Sequence, residues 1–197
     1  MTQRLEFFFD FASPYSYLAH SQLDDLGVEV ALRPMTVLKV MEIVGNTPTT
    51  VTCAAKARYA RADLGRWAAL YGVPVKPANM RDNDSRACAR AALAAGRQGR
   101  IREAAAAIFH AFWGEGLPLT TNEAILDVLD RAGLDAAAIG ALIDSPEIVA
   151  ELEANSAEAA ERGVFGAPTI FVGEDMFFGN DRLDFVRARL ASEELAA

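Results

Sequence analysis

Residues 5–18 read LEFFFDFASPYSYL, and this stretch decides the fold of the N-terminal part of the chain. The run over residues 5–12 is rich in aromatic side chains and predicts a short buried strand. Ser13 and Pro14 follow directly, and a serine at the N-cap with a proline at the first helical position is a common helix start. We therefore expect a strand that passes almost at once into a helix.

A second strand is predicted after this helix. The helix is expected to continue through Leu26 and to end at Gly27, because glycine suits the left-handed position that follows many helices. In residues 28–32, apolar residues then alternate with Glu29 and Ala31, which is typical of a strand. Strand, helix and strand in so short a stretch predict a βαβ unit with parallel strands and a right-handed crossover.

The middle of the chain has a different character. Thirty of the 38 alanines lie between residues 54 and 160, and alanine favours helices over strands. Strand patterns return only at residues 169–172 and 176–178, which predict a hairpin before a last helix. Without the helical block, this order of elements is that of a thioredoxin fold.

We therefore predict an α/β protein with a thioredoxin-like fold and a large inserted all-helical domain. Residues 1–37 and 146–197 are expected to form the discontinuous thioredoxin-like domain, and residues 38–145 the insertion.

The composition is that of a globular, acidic protein. The 197 residues are 52% hydrophobic and carry a net charge of −8, which argues against binding to nucleic acid or to an anionic membrane surface. Residues 56–102 nevertheless contain eleven Lys/Arg and three Asp/Glu, a pattern that fits a small-anion site, a subunit contact or a solvated helical face. Cys53 and Cys88 form no metal or disulfide pattern. The absence of a signal-peptide pattern and of a membrane-length apolar stretch predicts a cytoplasmic protein.

Ser13 and Ser16 occupy the turn where a redox-active thioredoxin fold carries two cysteines, so dithiol exchange is excluded there. A hydroxyl at a helix N-terminus can bind an anion, together with the unpaired N–H groups and the positive end of the helix dipole. The alternative is that Ser13 only caps its helix. His20 and His110 lie apart in the sequence and form no catalytic pattern.

Two further segments are candidates for the opposite side of a cleft. Pro168 enters the strand at residues 169–172, and a cis bond before it would leave the Ala167 backbone available to an extended peptide ligand. Residues 178–181 pass from a strand end into a helix N-terminus, where N–H groups and the Asp181 carboxylate suit a ligand's carboxylate and amine. Each segment is equally typical of an ordinary turn or cap.

Five groups of residues carry a family resemblance in chain order. They are DFASPYSYLA at 10–19, GNTP at 45–48, RW at 66–67 with YGVP at 71–74, GVFGAPT at 163–169 and GNDRL at 179–183. Together they resemble the 2-hydroxychromene-2-carboxylate isomerases, which are glutathione-dependent relatives of kappa-class glutathione transferases and DsbA-type oxidoreductases. The resemblance implies a thioredoxin fold with an inserted helical domain, usually assembled as a homodimer.

The resemblance also implies site residues. Ser13 matches the catalytic serine that holds the glutathione sulfur, and Ala167 matches the residue whose backbone pairs with glutathione. The segment that grips the γ-glutamyl end is matched by Phe178, Gly179, Asn180 and Asp181. Contacts with the substrate are implied for Lys39, Asn46 and Asn79, although by spacing Met41 stands opposite the family's lysine.

The implied activity is a glutathione-dependent cis–trans isomerisation that interconverts 2-hydroxychromene-2-carboxylate and trans-o-hydroxybenzylidenepyruvate, in the breakdown of aromatic hydrocarbons. It would proceed by reversible addition of the glutathione thiolate. Two alternatives stay open: a transferase that conjugates glutathione to an electrophile, and a non-catalytic thioredoxin-like binding module. The expected partners are a small aromatic carboxylate and a second copy of the chain, without nucleic acid or membrane, and no metal site is expected.

Overall fold

A four-stranded mixed sheet organises the protein, whose computed structural model describes residues 5–76, 79 and 82–194. The strands are β1 (Leu5–Phe9), β2 (Val30–Pro34), β3 (Thr169–Val172) and β4 (Asp175–Phe178), in the order β2-β1-β3-β4. Strand β2 runs parallel to β1, whereas β3 is antiparallel to both β1 and β4. The predicted βαβ unit and the C-terminal hairpin are both confirmed.

Side chains of β1 alternate between two cores because successive residues of a strand point to opposite faces of the sheet. Phe7 and Phe9 belong to the larger core, which they share with the inserted helices. Phe8 belongs to a smaller core with Val40 and Phe171. Strand β1 is therefore buried on both faces, which is why its sequence is almost continuously aromatic.

The first helix is shorter than predicted. Helix α1 spans Pro14–His20 and does not continue to Gly27. The Ser21 hydroxyl donates a hydrogen bond to the Leu18 carbonyl at 2.7 Å, and the chain then forms a 3₁₀ turn at Asp24–Leu26. Gly27 follows that turn with φ +68°, so the expected left-handed glycine is present although it closes a different element.

The helical block is confirmed between the second and third strands. Its helices are α2 (Val37–Ile43), α3 (Thr49–Thr52), α4 (Ala54–Tyr71), α5 (Ser85–Gly96), α6 (Ile101–Phe109), α7 (Asn122–Arg131), α8 (Ala136–Leu142) and α9 (Pro146–Glu161). A π-helical turn, His110–Gly114, follows α6. After β4, a 3₁₀ turn at Asn180–Arg182 leads into α10 (Leu183–Glu194).

One hydrophobic core joins the sheet to the inserted helices. The Phe109 ring lies 4.6 Å from that of Phe11 and 5.5 Å from that of Phe9, between ring centroids. The Trp113 indole N–H donates a hydrogen bond to the Phe11 carbonyl at 2.9 Å. The division into residues 1–37 with 146–197 and residues 38–145 stays a prediction, and residues 1–4 and 195–197 lie outside the described part of the chain.

The basic segment is largely neutralised along α5. Its arginines form ion pairs with carboxylates of the α8–α9 region, namely Arg86 with Glu153, Arg90 with Asp144 and Arg97 with Glu151. These pairs lie at the surface and contribute little to stability individually. Among the described residues, no helix has both the length and the apolar character that a membrane span requires.

Candidate active site

Ser13 is the N-cap of α1, and its hydroxyl makes two hydrogen bonds. The oxygen accepts the N–H of Ser16 at 3.1 Å, which is the expected capping bond. The same hydroxyl donates to the Ala167 carbonyl at 3.3 Å, across 154 residues of sequence. Ser13 is partly accessible, so capping does not bury the hydroxyl. The cap and the predicted anion-binding position are therefore one and the same group.

The predicted opposite side of the cleft is in place. The Ala167–Pro168 peptide is cis. The Thr169 hydroxyl donates to the Gly166 carbonyl at 2.9 Å, and the Gly179 N–H donates to the Pro168 carbonyl at 2.9 Å. The second bond attaches residues 178–181 to the loop at residues 165–168, here called the proline loop, and the Ala167 carbonyl of this loop accepts the Ser13 hydroxyl. The structure thus brings together three segments that are far apart in the sequence.

Two half-exposed aromatic rings stand over the proline loop. Phe165 and Phe178 are 38% and 40% exposed, and their ring centroids lie 4.6 Å apart. Gly166 lies beneath Phe178, and a Cβ at this glycine would come 2.6 Å from the Phe178 ring. Residue 166 therefore has to be glycine for this ring to keep its position.

The segment after β4 has the features of a cradle for a polar ligand. Asn180 is buried, and its side-chain amide nitrogen has no hydrogen-bond partner among the described residues. Gly179 has φ +100°, and a Cβ there would meet Asp181 Oδ1 at 2.5 Å. The Tyr71 hydroxyl donates to the Asn180 carbonyl at 2.8 Å and so fixes the backbone of the segment. A buried donor without a partner is costly, and a bound acceptor group would satisfy it.

The buried carboxylate of Asp10 holds the loop that carries Ser13. Its two oxygens accept the N–H groups of Ala12 and Val37, each at 2.8 Å, and its carbonyl accepts the N–H of Ser13 at 2.9 Å. Burial raises the pKa of this carboxyl, while the hydrogen bonds from the Ala12 and Val37 amides and the Ser85 side chain oppose the shift. Asp10 thus links the end of β1 to the start of α2.

Tyr15 forms the boundary between this site and an adjacent pocket. Its hydroxyl donates hydrogen bonds toward Asp63 Oδ2 at 3.3 Å and the Ala60 carbonyl at 3.4 Å. Burial, followed by the Asp63 charge, raises the pKa of Tyr15 to about 12, so the hydroxyl stays protonated at neutral pH. The pocket has a volume of about 460 Å³ and is lined by Tyr15, Thr50, Ala55, Lys56, Tyr59 and Ala60.

The three residues implied for substrate binding lie in different settings. Lys39 is 51% exposed on α2, with its ammonium 4.0 Å from the Glu42 carboxylate. The Asn46 side-chain amide donates to the Phe165 carbonyl at 2.7 Å, so this residue tethers the proline loop. Asn79 is exposed, and its carbonyl accepts the N–H of Asp82 at 2.8 Å.

Sequence reasoning did not foresee the supporting roles of Asp10, Tyr15 and Tyr71. All three lie inside the stretches that carry the family resemblance, but a residue type and a position do not indicate which backbone group a side chain will reach. The two histidines lie in separate settings, and His110 Nε2 is 3.5 Å from the Glu115 carboxylate. The His20 ring packs 5.2 Å from that of Phe109, and burial lowers its pKa to about 4.

Comparison with known proteins agrees with this arrangement. A profile of the DSBA-like thioredoxin domain matches residues 4–191. A 2-hydroxychromene-2-carboxylate isomerase of Sphingobium xenophagum is 37% identical, over 96% of this chain and 99% of that protein. A glutathione S-transferase kappa 2 of Caenorhabditis elegans is 27% identical, over 95% and 91% of the two chains.

A solved structure supports the same assignment. The structure of a 2-hydroxychromene-2-carboxylate isomerase superposes with a TM-score of 0.86 at 32% identity, and the match covers 96% of this chain and 95% of that one. Fold, sequence and the order of the motifs therefore agree over almost the full length. The chain belongs to the DsbA-like thioredoxin-domain family and, within it, to the group of the 2-hydroxychromene-2-carboxylate isomerases.

Proposed function

We propose that this protein is a glutathione-dependent isomerase that interconverts 2-hydroxychromene-2-carboxylate and trans-o-hydroxybenzylidenepyruvate. One observation carries the proposal: a serine hydroxyl at a helix N-terminus contacts the carbonyl that precedes the cis-proline. A thioredoxin fold that keeps this arrangement with serines at both redox positions can still stabilise a sulfur anion, but it cannot exchange disulfides.

The residues around the cleft fit glutathione as the cofactor. Asn180 has a buried amide nitrogen without a partner among the described residues, which suits a carboxylate or carbonyl oxygen of the tripeptide. The Asp181 carboxylate is 43% exposed and suits the γ-glutamyl amine, with the Phe178 ring and the Gly179 backbone beside it. Ala167 offers its backbone to the peptide part. When bound, glutathione supplies a thiol whose anionic form adds reversibly to a conjugated double bond.

Ser13 has the central part in the mechanism. A free thiol has a pKa of about 8.5, so only a few per cent of it is ionised at pH 7. Lowering that pKa by about 2 units requires about 2.7 kcal/mol of preferential stabilisation of the anion. The Ser13 hydroxyl can turn from the Ala167 carbonyl towards an anion, and the first-turn N–H groups and helix dipole act in the same direction.

The remaining residues keep this donor in position. The Asp10 carboxylate accepts the N–H groups of Ala12 and Val37, and the Ser13 N–H is itself bonded to the Asp10 carbonyl. Asn46 and Tyr71 fix the proline loop and the Asn180 segment. With the backbone fixed in this way, only the Ser13 hydroxyl has to turn when charge develops, and such a small reorganisation favours a large effect on rate. A homodimer and a cytoplasmic location stay predictions.

A steady-state assay tests the proposal. The purified protein is given 2-hydroxychromene-2-carboxylate with and without glutathione, and the ultraviolet spectrum is followed to equilibrium. We expect turnover only with glutathione, at amounts far below the substrate and without loss of free thiol. No turnover with glutathione present would refute the proposal.

Conjugation of glutathione to an electrophile is the second candidate function, favoured by the kappa-class relative. The two activities share the thiolate and differ in whether it leaves again. Consumption of free thiol in proportion to product would identify a transferase, whereas constant thiol identifies the isomerase. The same assay therefore separates the two.

A further inference from the structure

The pocket beside Tyr15 is an open surface groove, and four of its six lining residues are exposed. Its volume of about 460 Å³ lies in the range of roughly 300–1,000 Å³ that is usual for small-molecule sites. Two tyrosines and two alanines supply an apolar, partly aromatic lining. Among the described residues that line it, Lys56 is the one charged side chain.

Each of the two tyrosines that line the pocket has a polar or charged neighbour. The Tyr15 hydroxyl is engaged by Asp63 and by the Ala60 carbonyl, so this ring is anchored at its far end. The Arg66 guanidinium lies 5.8 Å from the centre of the Tyr59 ring, in cation–π geometry. An aryl group entering the pocket would therefore meet the anchored Tyr15 ring and, on the solvent side, the Tyr59 ring, which is 65% exposed.

Tyr15 also places the pocket next to the reacting centre. It lies in the first turn of α1, two residues after Ser13, and its hydroxyl reaches α4 on the other side. One side chain is thus the wall between the predicted sulfur position and the pocket. A substrate bound there would contact the first turn of the helix that Ser13 caps.

Lys56 is the charged residue that lines the pocket, and its hydrogen-bond partner is a neutral group. The arginines of α5 are paired with carboxylates, and Arg66 lies 3.7 Å from Asp63. The Lys56 ammonium instead donates to a neutral group, the Thr49 hydroxyl, at 3.1 Å. Lys39, implied by the family resemblance, lies beside Glu42, which would repel an incoming carboxylate.

We propose that this pocket binds the aryl carboxylate substrate and that Lys56 is the residue that binds its carboxylate. The proposal rests on the function proposed above. It adds where the substrate binds and which residue selects it. Selection for an acid over an uncharged analogue would come from Lys56, and selection for an aryl group from Tyr15 and Tyr59.

Binding of trans-cinnamate, measured by titration calorimetry, tests the proposal without relying on turnover. Lys56→Met removes the charge at similar length, and Arg58→Met is the matched control. Residue 58 lies about 200° around the helix from residue 56, is exposed and does not line the pocket. We expect the Kd of cinnamate to rise about tenfold in Lys56→Met and less than twofold in Arg58→Met. The Kd of cinnamyl alcohol and that of glutathione are expected to stay the same in both.

Ala55→Phe provides a second test because it fills the pocket without changing charge. Loss of binding of both cinnamate and cinnamyl alcohol, with glutathione binding retained, supports the proposal. Equal effects of Lys56→Met and Arg58→Met, a larger effect of Lys39→Met, or no effect of Ala55→Phe would overturn it. Lys56-dependent cinnamate binding without isomerase turnover would refute the proposed function alone and leave the pocket assignment intact.

Discussion

Replacing Ser13 with alanine separates the two roles that one hydroxyl combines. The substitution removes an N-cap acceptor, which serves stability, and a donor to the reacting sulfur, which serves catalysis. The chain offers a matched control in Ser145, which also precedes a proline at the first position of a helix. Its hydroxyl accepts the N–H of Ile148 at 3.4 Å, compared with 3.1 Å for the bond from Ser16 to Ser13.

The two variants are expected to lose similar stability. An N-cap serine contributes about 1 kcal/mol to the free energy of unfolding, which corresponds to roughly 2–4 °C in Tm for a chain of this length. The Ser145 bond is the longer of the two, so Ser145→Ala should lose no more than Ser13→Ala. Thermal unfolding followed by circular dichroism measures both shifts.

Only Ser13→Ala is expected to lose activity. Removing one donor to a developing anion lowers turnover by roughly 10² or more, equivalent to about 2.7 kcal/mol. The acidic limb of the pH profile of kcat should also shift upward, towards the thiol pKa of about 8.5, because the anion has lost a donor. Ser145→Ala should keep both the rate and the pH profile of the wild type. If the two variants have equal rates, or if the profile of Ser13→Ala does not move, the assigned role of the hydroxyl is wrong.

Three further outcomes are expected. Gly179→Ala puts a Cβ 2.5 Å from Asp181 Oδ1 on a backbone with φ +100°. Calorimetry should therefore show about tenfold weaker binding of glutathione. Unchanged affinity would contradict the proposal that this segment binds glutathione. Asn46→Ala removes the hydrogen bond to the Phe165 carbonyl and should weaken glutathione binding about three- to tenfold. A change confined to the KM of the substrate would instead indicate that Asn46 binds the substrate. Burial lowers the pKa of His20 to about 4, so the folded state favours the neutral ring and loses stability as the pH falls from about 6.5 to 4. Glutamine does not titrate, so His20→Gln should not lose this stability. Between pH 6.5 and 4, its free energy of unfolding relative to the wild type should rise by at most about 3 kcal/mol. A difference that stays constant with pH would refute the lowered pKa of His20.

The fold could be predicted from local signals because those signals agree with one another. The aromatic run, the Ser13–Pro14 start and the alanine-rich block each indicate one element, and the structure contains all three. The early end of α1 could not be predicted in the same way. The helix ends where the Ser21 hydroxyl bonds to the carbonyl of Leu18, and a serine is compatible with either a helix or a turn.

The parts of the site that are formed by turns and helix caps could be predicted from the sequence. Ser13 and Pro168 occupy turns whose type the sequence specifies, and the thioredoxin order of elements sets those turns opposite each other. The role of Asn46 could not be predicted from a local pattern, because it depends on a contact across 119 residues of sequence. Its amide is a loop tether and not a free ligand-binding group, because the Phe165 carbonyl lies within 2.7 Å. Contacts between segments more than a hundred residues apart follow from tertiary packing, which no local pattern encodes.

The aromatic junction between the sheet and the π-helical turn has a consequence for protein engineering. Phe9 and Phe11 contribute one side of that junction, and Phe109 and Trp113 contribute the other. The helical block therefore cannot be exchanged between relatives as an independent unit, although in the sequence it is one continuous segment between β2 and β3. A chimera that takes the block from another enzyme must import the matching aromatic residues of the first strand as well, or its two halves will meet with either a void or a clash.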